Sequence, residues 1–105
     1  MTSVKFLVSG KTLVGFEADG HSTQNCDDEN GRLVCSAISS AIYMAANTVT
    51  EIIGNSADID VSDGHMYFKV KNPSRETSMV LEGLKLHIEQ LAEEYSDNIK
   101  VYSEV

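Results

Sequence analysis

The sequence predicts an α+β fold: a two-layer sandwich with two helices on one face of an antiparallel sheet, in the order ββαββα plus a C-terminal strand. Three observations carry this. Short stretches alternate apolar and polar residues in pairs around Gly-containing turns. Two longer stretches repeat apolar residues at three- and four-residue steps. The chain has 105 residues, the length of one domain, so residues 1–105 are expected to share a single core. Strands joined by hairpins pair antiparallel, and helices that follow them can cover one side of the sheet.

The first pair of strands is expected over 3–9 and 12–19, with Gly10-Lys11 as the tight turn. Alternation sets Val4, Phe6 and Val8 on one face, against Lys5, Leu7 and Ser9 on the other. From Gly20 to Arg32 the periodicity disappears into turn-forming residues. A loop of that length in so small a domain is unusual, and long loops commonly carry function. At Leu33 the chain becomes helical through about Ile53, with Gly54-Asn55 as the stop. Cys35, Ile38, Ile42, Ala45, Val49 and Ile52 form its expected buried stripe, which places Cys35 in the first turn beside unpaired backbone N–H groups. A second hairpin follows over 57–62 and 65–71 around Asp63-Gly64, with Met66, Phe68 and Val70 on one face. Ser74, with Thr77 and Ser78, offers capping chemistry before a second helix over about 76–95, whose core positions are Leu81, Leu84, Ile88, Leu91 and Tyr95. Residues 99–105 alternate again and form the last strand.

Sixteen acids against eight bases give a formal charge of −8. Nucleic-acid binding rests on Lys and Arg neutralising phosphates, so direct nucleic-acid binding is not expected. An acidic surface instead attracts basic proteins or peptides, although many proteins are acidic without such a partner. The run Val4–Val8 is too short for the core of a signal peptide and contains Lys5. No segment reads as the ~20 apolar residues of a membrane span. The expected location is therefore the cytoplasm, with no membrane partner, and with Cys26 and Cys35 as reduced thiols.

Cys35 and His21 are the residues with the clearest chemical potential. A thiolate is the nucleophilic form of cysteine, and a nearby imidazole can take its proton, the minimum apparatus of a cysteine peptidase. His21 opens the long loop and Cys35 closes it, so folding can bring both to one rim of the sheet. Taken singly, both have plainer readings. Cys35 fits the apolar stripe of its helix, and His21 suits a turn after Gly20. His65 and His87 read as structural or solvent-facing. No Gly-x-Ser-x-Gly elbow, Walker, Rossmann or EF-hand loop occurs, and no cofactor is expected.

In combination these residues resemble a known family. Gly20-His21-Ser22, a loop closing with Gly31, and then Leu33-Val34-Cys35-Ser36-Ala37-Ile38-Ser39 are similar to the signature of the Prp family of ribosomal-processing cysteine proteases. Length, hairpin order, the Asp-Gly turn and the acidic last helix agree along the whole chain. The resemblance implies Cys35 as nucleophile, His21 as catalytic histidine, and Ser39 as a helix serine able to orient a partner, with Gly20 and Gly31 supporting the loop. It also implies a homodimer whose substrate is the N-terminal peptide of a large-subunit ribosomal protein, with apolar or aromatic residues before the cut. Two departures stand out. Arg32 occupies the place where the family usually has Asp, and the loop is about two residues longer and carries Cys26.

Other classes stay open at this level. A non-catalytic acidic dimer could hold a basic ribosomal protein, with Cys35 as core packing. Cys26 is either a loop thiol without a role, a reversible oxidative cap on Cys35, or a metal ligand with His21 and Cys35. The eight-residue gap between the cysteines is unlike zinc-knuckle spacing, and no metal is expected.

Overall fold

A computed structural model describes residues 1–20 and 29–104 of the chain. The elements are β1 (Thr2–Ser9), β2 (Thr12–Asp19), α1 (Glu29–Asn47) running into a π-helical segment (Thr48–Ile53), β3 (Ala57–Ser62), β4 (His65–Val70), α2 (Arg75–Glu94) and β5 (Ile99–Glu104). Every predicted element is present, and most bounds fall within a residue or two of the sequence reading.

The five strands form one sheet in the order β3-β4-β2-β1-β5. The β1–β2, β2–β4 and β3–β4 pairs are antiparallel, as the hairpins require. β5 departs from the expected antiparallel pattern: it lies parallel to β1, with Val4 opposite Val101, so the sheet is mixed. The reason is the helix before it. α2 carries the chain back across the sheet, so β5 sets out in the direction of β4, which is also the direction of β1.

Alternation builds the core. Val4 and Phe6 of β1, Phe16 and Ala18 of β2, and Met66, Phe68 and Val70 of β4 face the helices and are buried. They meet Val34, Ile38, Ile42 and Ala45 of α1 and Leu81, Leu84 and Ile88 of α2 in one cluster. Phe16 and Phe68 stack across the β2–β4 pair with ring centroids 5.2 Å apart, a contact worth about 1 kcal/mol beyond the area it buries. The opposite face of the sheet has no helix layer among the described residues and is polar.

Three details differ from the sequence reading. The register of β1 on β2 shifts after Leu7, which pairs with Gly15 while Val8 pairs with Leu13. Val14 is thus an extra residue, and both Leu13 and Val14 are buried, where strict alternation would expose one of them. Ile52, expected in the buried stripe, is 80 % exposed. The π segment widens the turn, so the residue that follows Val49 toward the core is Ile53, and Ile52 is rotated outward. Finally, Glu29–Ile53 is a continuous run of 25 residues, long and apolar enough by composition to cross a membrane. Its apolar stripe packs on the sheet instead, the behaviour of a core helix.

A polar latch fixes the second helix. Ser74 caps α2 by accepting from the Thr77 N–H at 3.2 Å. The Asn55 side-chain oxygen accepts from the Ser74 N–H at 3.2 Å, from the Ser74 hydroxyl at 3.0 Å, and from the Thr77 hydroxyl. These bonds tie the link before β3 to the start of α2.

Candidate active site

The sequence puts a polar residue, Thr2, at an inward-facing position of β1, one step before Val4 and Phe6. The fold puts it at the end of the sheet where β1 begins and β2 ends. Its N–H donates to the Asn98 carbonyl at 2.8 Å. Its hydroxyl donates to the Gly20 carbonyl at 3.1 Å. Thr2 is buried, and that bond satisfies a hydroxyl that would otherwise be costly there.

Cys35 reaches the same point from α1. Its Sγ lies 3.5 Å from the Gly20 carbonyl oxygen and 3.7 Å from Thr2 Oγ1. The side chain is 1 % exposed, yet its polar neighbours set it apart from the apolar cluster around Ile38 and Ile42. When reduced, its S–H would donate to the Gly20 carbonyl. Here Cys35 is disulfide-bonded, the oxidised state in which no thiolate exists. The sequence contains one other cysteine, Cys26, which lies outside the described residues.

Gly20 is the hinge of this arrangement. Its φ is +81°, and a Cβ there would stand 2.4 Å from the Met1 carbonyl oxygen. Only glycine allows the left-handed turn and this backbone approach together. Its N–H donates to the Gly64 carbonyl at 2.9 Å, so the end of β2 is tied to the β3–β4 turn as well as to β1. Gly20 is peptide-bonded to His21, which lies outside the described residues, as do Ser22, Asp27 and Asp28.

The helix begins earlier than the sequence reading allowed. α1 starts at Glu29, so Gly31 is a buried residue of its first turn rather than part of the loop. Counting from Glu29, Cys35 is the seventh helical residue and sits in the second turn. The open amides of a helix N-terminus belong to its first four residues, so they do not surround the thiol. The expectation of a first-turn thiol flanked by open N–H groups is thereby corrected. Ser39 stands one turn beyond Cys35 and is half-buried; Arg32, at the place of the family Asp, is exposed. Asn30, Gly31 and Arg32 form turns readily, which hid the helix start; Glu29 in the first turn was the available signal.

On the other side of the sheet a charged cluster surrounds the end of β2. His65 Nδ1 lies 2.5 Å from Asp19 Oδ1 and its Nε2 3.4 Å from Glu17 Oε2. The bond to Asp19 holds the imidazole above its ordinary pKa; burial opposes this, while the charges of Asp19 and Glu17 reinforce it. Lys5 bridges to Glu17 at 3.2 Å, and that bond raises its pKa. Among the described residues, Glu17, Asp19 and His65 bring potential ligand atoms within 4.8 Å of one another. Both ring nitrogens already face carboxylates, so ion pairing accounts for the cluster, and it lies on the face of the sheet away from Cys35.

Residues 1–100 match the profile of the cysteine protease Prp family. The chain belongs to the cysteine protease Prp family. It is 24 % identical over 102 residues to the ribosomal processing cysteine protease Prp of Bacillus subtilis strain 168, an alignment covering 90 % of this chain and 89 % of the relative. The fold agrees with that of the S. aureus ribosomal processing protease Prp in complex with a substrate peptide, with a TM-score of 0.90 at 19 % identity, covering 99 % of this chain and 100 % of that one. The same enzyme with a covalently linked product peptide gives 0.86 at 22 % identity, with the same coverage. SMU.848 of Streptococcus mutans gives 0.83 at 21 % identity, covering 98 % of this chain and 96 % of that one. Membership of the Prp family decides the class between protease and inert module. The chain is a cysteine protease, and the α+β fold read from its sequence is the Prp fold.

Proposed function

We propose that this chain is a cytoplasmic cysteine endopeptidase that removes a short N-terminal extension from a large-subunit ribosomal protein, with Cys35 as nucleophile and His21 as its base. One observation carries the assignment. Cys35 Sγ is directed into a polar notch formed by the Thr2 hydroxyl and the carbonyl of Gly20, the residue bonded to His21. A core-filling cysteine needs no such surroundings.

The reaction is acyl transfer by the reduced enzyme. His21 takes the proton from Cys35, and the thiolate attacks the scissile carbonyl. The C–N bond breaks as His21 returns that proton to the leaving amine, and a thioester remains on Sγ. Water, deprotonated by His21, then attacks the thioester and releases the acid and the thiol. The S. aureus relative holding a covalently linked product peptide supports a covalent route. Thr2 and Gly20 act as positioning residues that hold Sγ at the sheet end. Ser39 orients a partner from the next turn of α1, and Gly31 lets the first turn of that helix pack closely.

Two further parts of the reading have support. The charge of −8 favours encounter with a basic ribosomal protein. A homodimer fits the apolar groove between the helices, lined by Ala41, Met44, Val80 and Leu84, with Met44 63 % exposed.

The test is mass spectrometry of the host's extended ribosomal protein after incubation with reduced wild type, Cys35→Ala and His21→Ala. The expected result is one cut near the N-terminus by wild type alone. Cleavage by Cys35→Ala, or none by reduced wild type, would overturn the assignment.

A further inference from the structure

The end of β2 is clasped to β4 by consecutive residues on each side. Asp19 pairs with His65 across the two strands, and the next residue, Gly20, donates its N–H to the Gly64 carbonyl at 2.9 Å. That bond makes Asp19 and His65 a non-hydrogen-bonded rung, the kind in which facing side chains stand closest. The side chains meet on the polar side of the sheet, with His65 Nδ1 2.5 Å from Asp19 Oδ1. His65 Nε2 reaches Glu17 Oε2 at 3.4 Å, while Lys5 holds the other oxygen of Glu17 at 3.2 Å. His65 thus bridges two carboxylates of β2, one of which is itself fixed from β1.

Ion pairs on a protein surface generally add little to stability. The place of this one gives it a second effect. Its rung is the last before the chain leaves the sheet, and strand ends are where a ladder opens first. The residue just beyond it is Gly20, whose carbonyl accepts from the Thr2 hydroxyl at 3.1 Å and lies 3.5 Å from Cys35 Sγ. That carbonyl belongs to the peptide group joining Gly20 to His21. A rotation at the end of β2 therefore displaces the neighbour of the thiol and the attachment of its base together.

Resting on the proposed protease function, we infer that His65 is a positioning residue for that reaction: bridging Asp19 and Glu17, it locks the Asp19-Gly20 corner that faces the Cys35 thiol and leads into His21. The imidazolium does this fully, because both ring nitrogens donate. The neutral ring keeps one N–H and can hold one carboxylate. The charges acting on it are Asp19 and Glu17 of β2 and Asp60 of β3. Lys5 of β1 acts through Glu17, Tyr67 shares its side of β4 two residues on, and Asp63 lies in the adjoining turn. The bond to Asp19 and these acids keep the imidazolium above its ordinary pKa, against the effect of burial. The clasp is complete below about pH 6.5 and loses one arm as pH rises through the raised value.

The test follows cleavage of the host's extended ribosomal protein by the reduced full chain. It compares wild type, His65→Gln, His65→Arg and Asn55→Ala between about pH 6 and pH 9, where thermal melts show each variant folded. Asn55→Ala removes the latch at the opposite end of the β3–β4 hairpin, so it lowers stability without touching the clasp. At about pH 6, His65→Gln should lose about tenfold in kcat, a fraction of the roughly hundredfold that a 1 Å misplacement costs. KM should not change, because His65 lies on the side of the sheet away from the thiol. His65→Arg should keep the wild-type kcat, since a guanidinium can donate to both carboxylates. As pH rises, wild type should fall toward His65→Gln while His65→Arg holds. Asn55→Ala should keep its kcat throughout. Hydrogen exchange of the Gly20 amide is a second reading that needs no substrate; His65→Gln should speed it about tenfold and His65→Arg should not. An unchanged kcat in His65→Gln, a loss matched by Asn55→Ala, a loss in KM alone, or Gly20 exchange insensitive to His65 overturns the inference. Those outcomes with active wild type leave the protease reading standing. Absence of cleavage by reduced wild type overturns that reading and this inference together.

Discussion

Replacing Gly20 by alanine tests whether the sheet end is built around that residue. Two costs arise. An L-residue at φ +81° is in the left-handed region, which costs about 1–2 kcal/mol. The new Cβ would also stand 2.4 Å from the Met1 carbonyl oxygen. Ordinary contact begins near 3.4 Å, so the start of β1 must withdraw by about 1 Å. That movement strains the Thr2–Gly20 and Thr2–Asn98 bonds, adding about 1–2 kcal/mol. The total is about 2–4 kcal/mol, or a fall in Tm of about 10–20 °C for a domain of this size. Gly10→Ala is the control, because its φ is also positive, at +64°, but a Cβ there meets nothing within 4 Å. It should cost about 1 kcal/mol. Urea unfolding followed by circular dichroism gives both values, and the cleavage assay should show Gly20→Ala impaired and Gly10→Ala close to wild type. Equal destabilisation by the two substitutions would refute the role given to the Met1 contact.

Three further outcomes are expected. Cys35 is disulfide-bonded in this structure, so intact-mass analysis should find no iodoacetamide adduct and no peptide cleavage until a reductant is added; Cys26→Ser should label at Cys35 without reductant, and identical behaviour of that variant and wild type would exclude Cys26 as the bonded partner. Because Asp19 and Glu17 raise the His65 pKa, His65 stabilises the fold fully below its unfolded pKa of about 6.5 and loses that contribution as pH rises through the higher folded value. His65→Gln should therefore lower the urea midpoint more at about pH 5.5 than at about pH 8.5, and a pH-independent difference would contradict the ion-pair assignment. Asn55→Ala removes the acceptor shared by Ser74 and the buried Thr77; it should cost about 1–3 kcal/mol in chemical denaturation, and an unchanged midpoint would mean water replaces the amide.

Much of this protein follows from local pattern. The alternation of Val4, Phe6 and Val8 and of Met66, Phe68 and Val70, together with the helical spacing of Ile38 and Ile42, specifies strands and helices because each side chain's direction depends only on its own backbone. The Gly20-His21 and Cys35 motif pointed to the Prp family for a related reason: residue identities at fixed separations are visible without coordinates. Other features depend on which distant segments meet. The parallel placement of β5 follows from the path of α2 over the sheet, and the outward turn of Ile52 from a π segment that no residue-by-residue periodicity reveals. The start of α1 is obscured by turn-forming residues that tertiary packing overrides, which puts Cys35 beyond the first turn. Thr2, 33 residues from Cys35 in the chain, has no local feature beyond a polar side chain at a core-facing position. It becomes part of the site because folding removes water from that corner, and its hydroxyl must then find the Gly20 carbonyl within the protein.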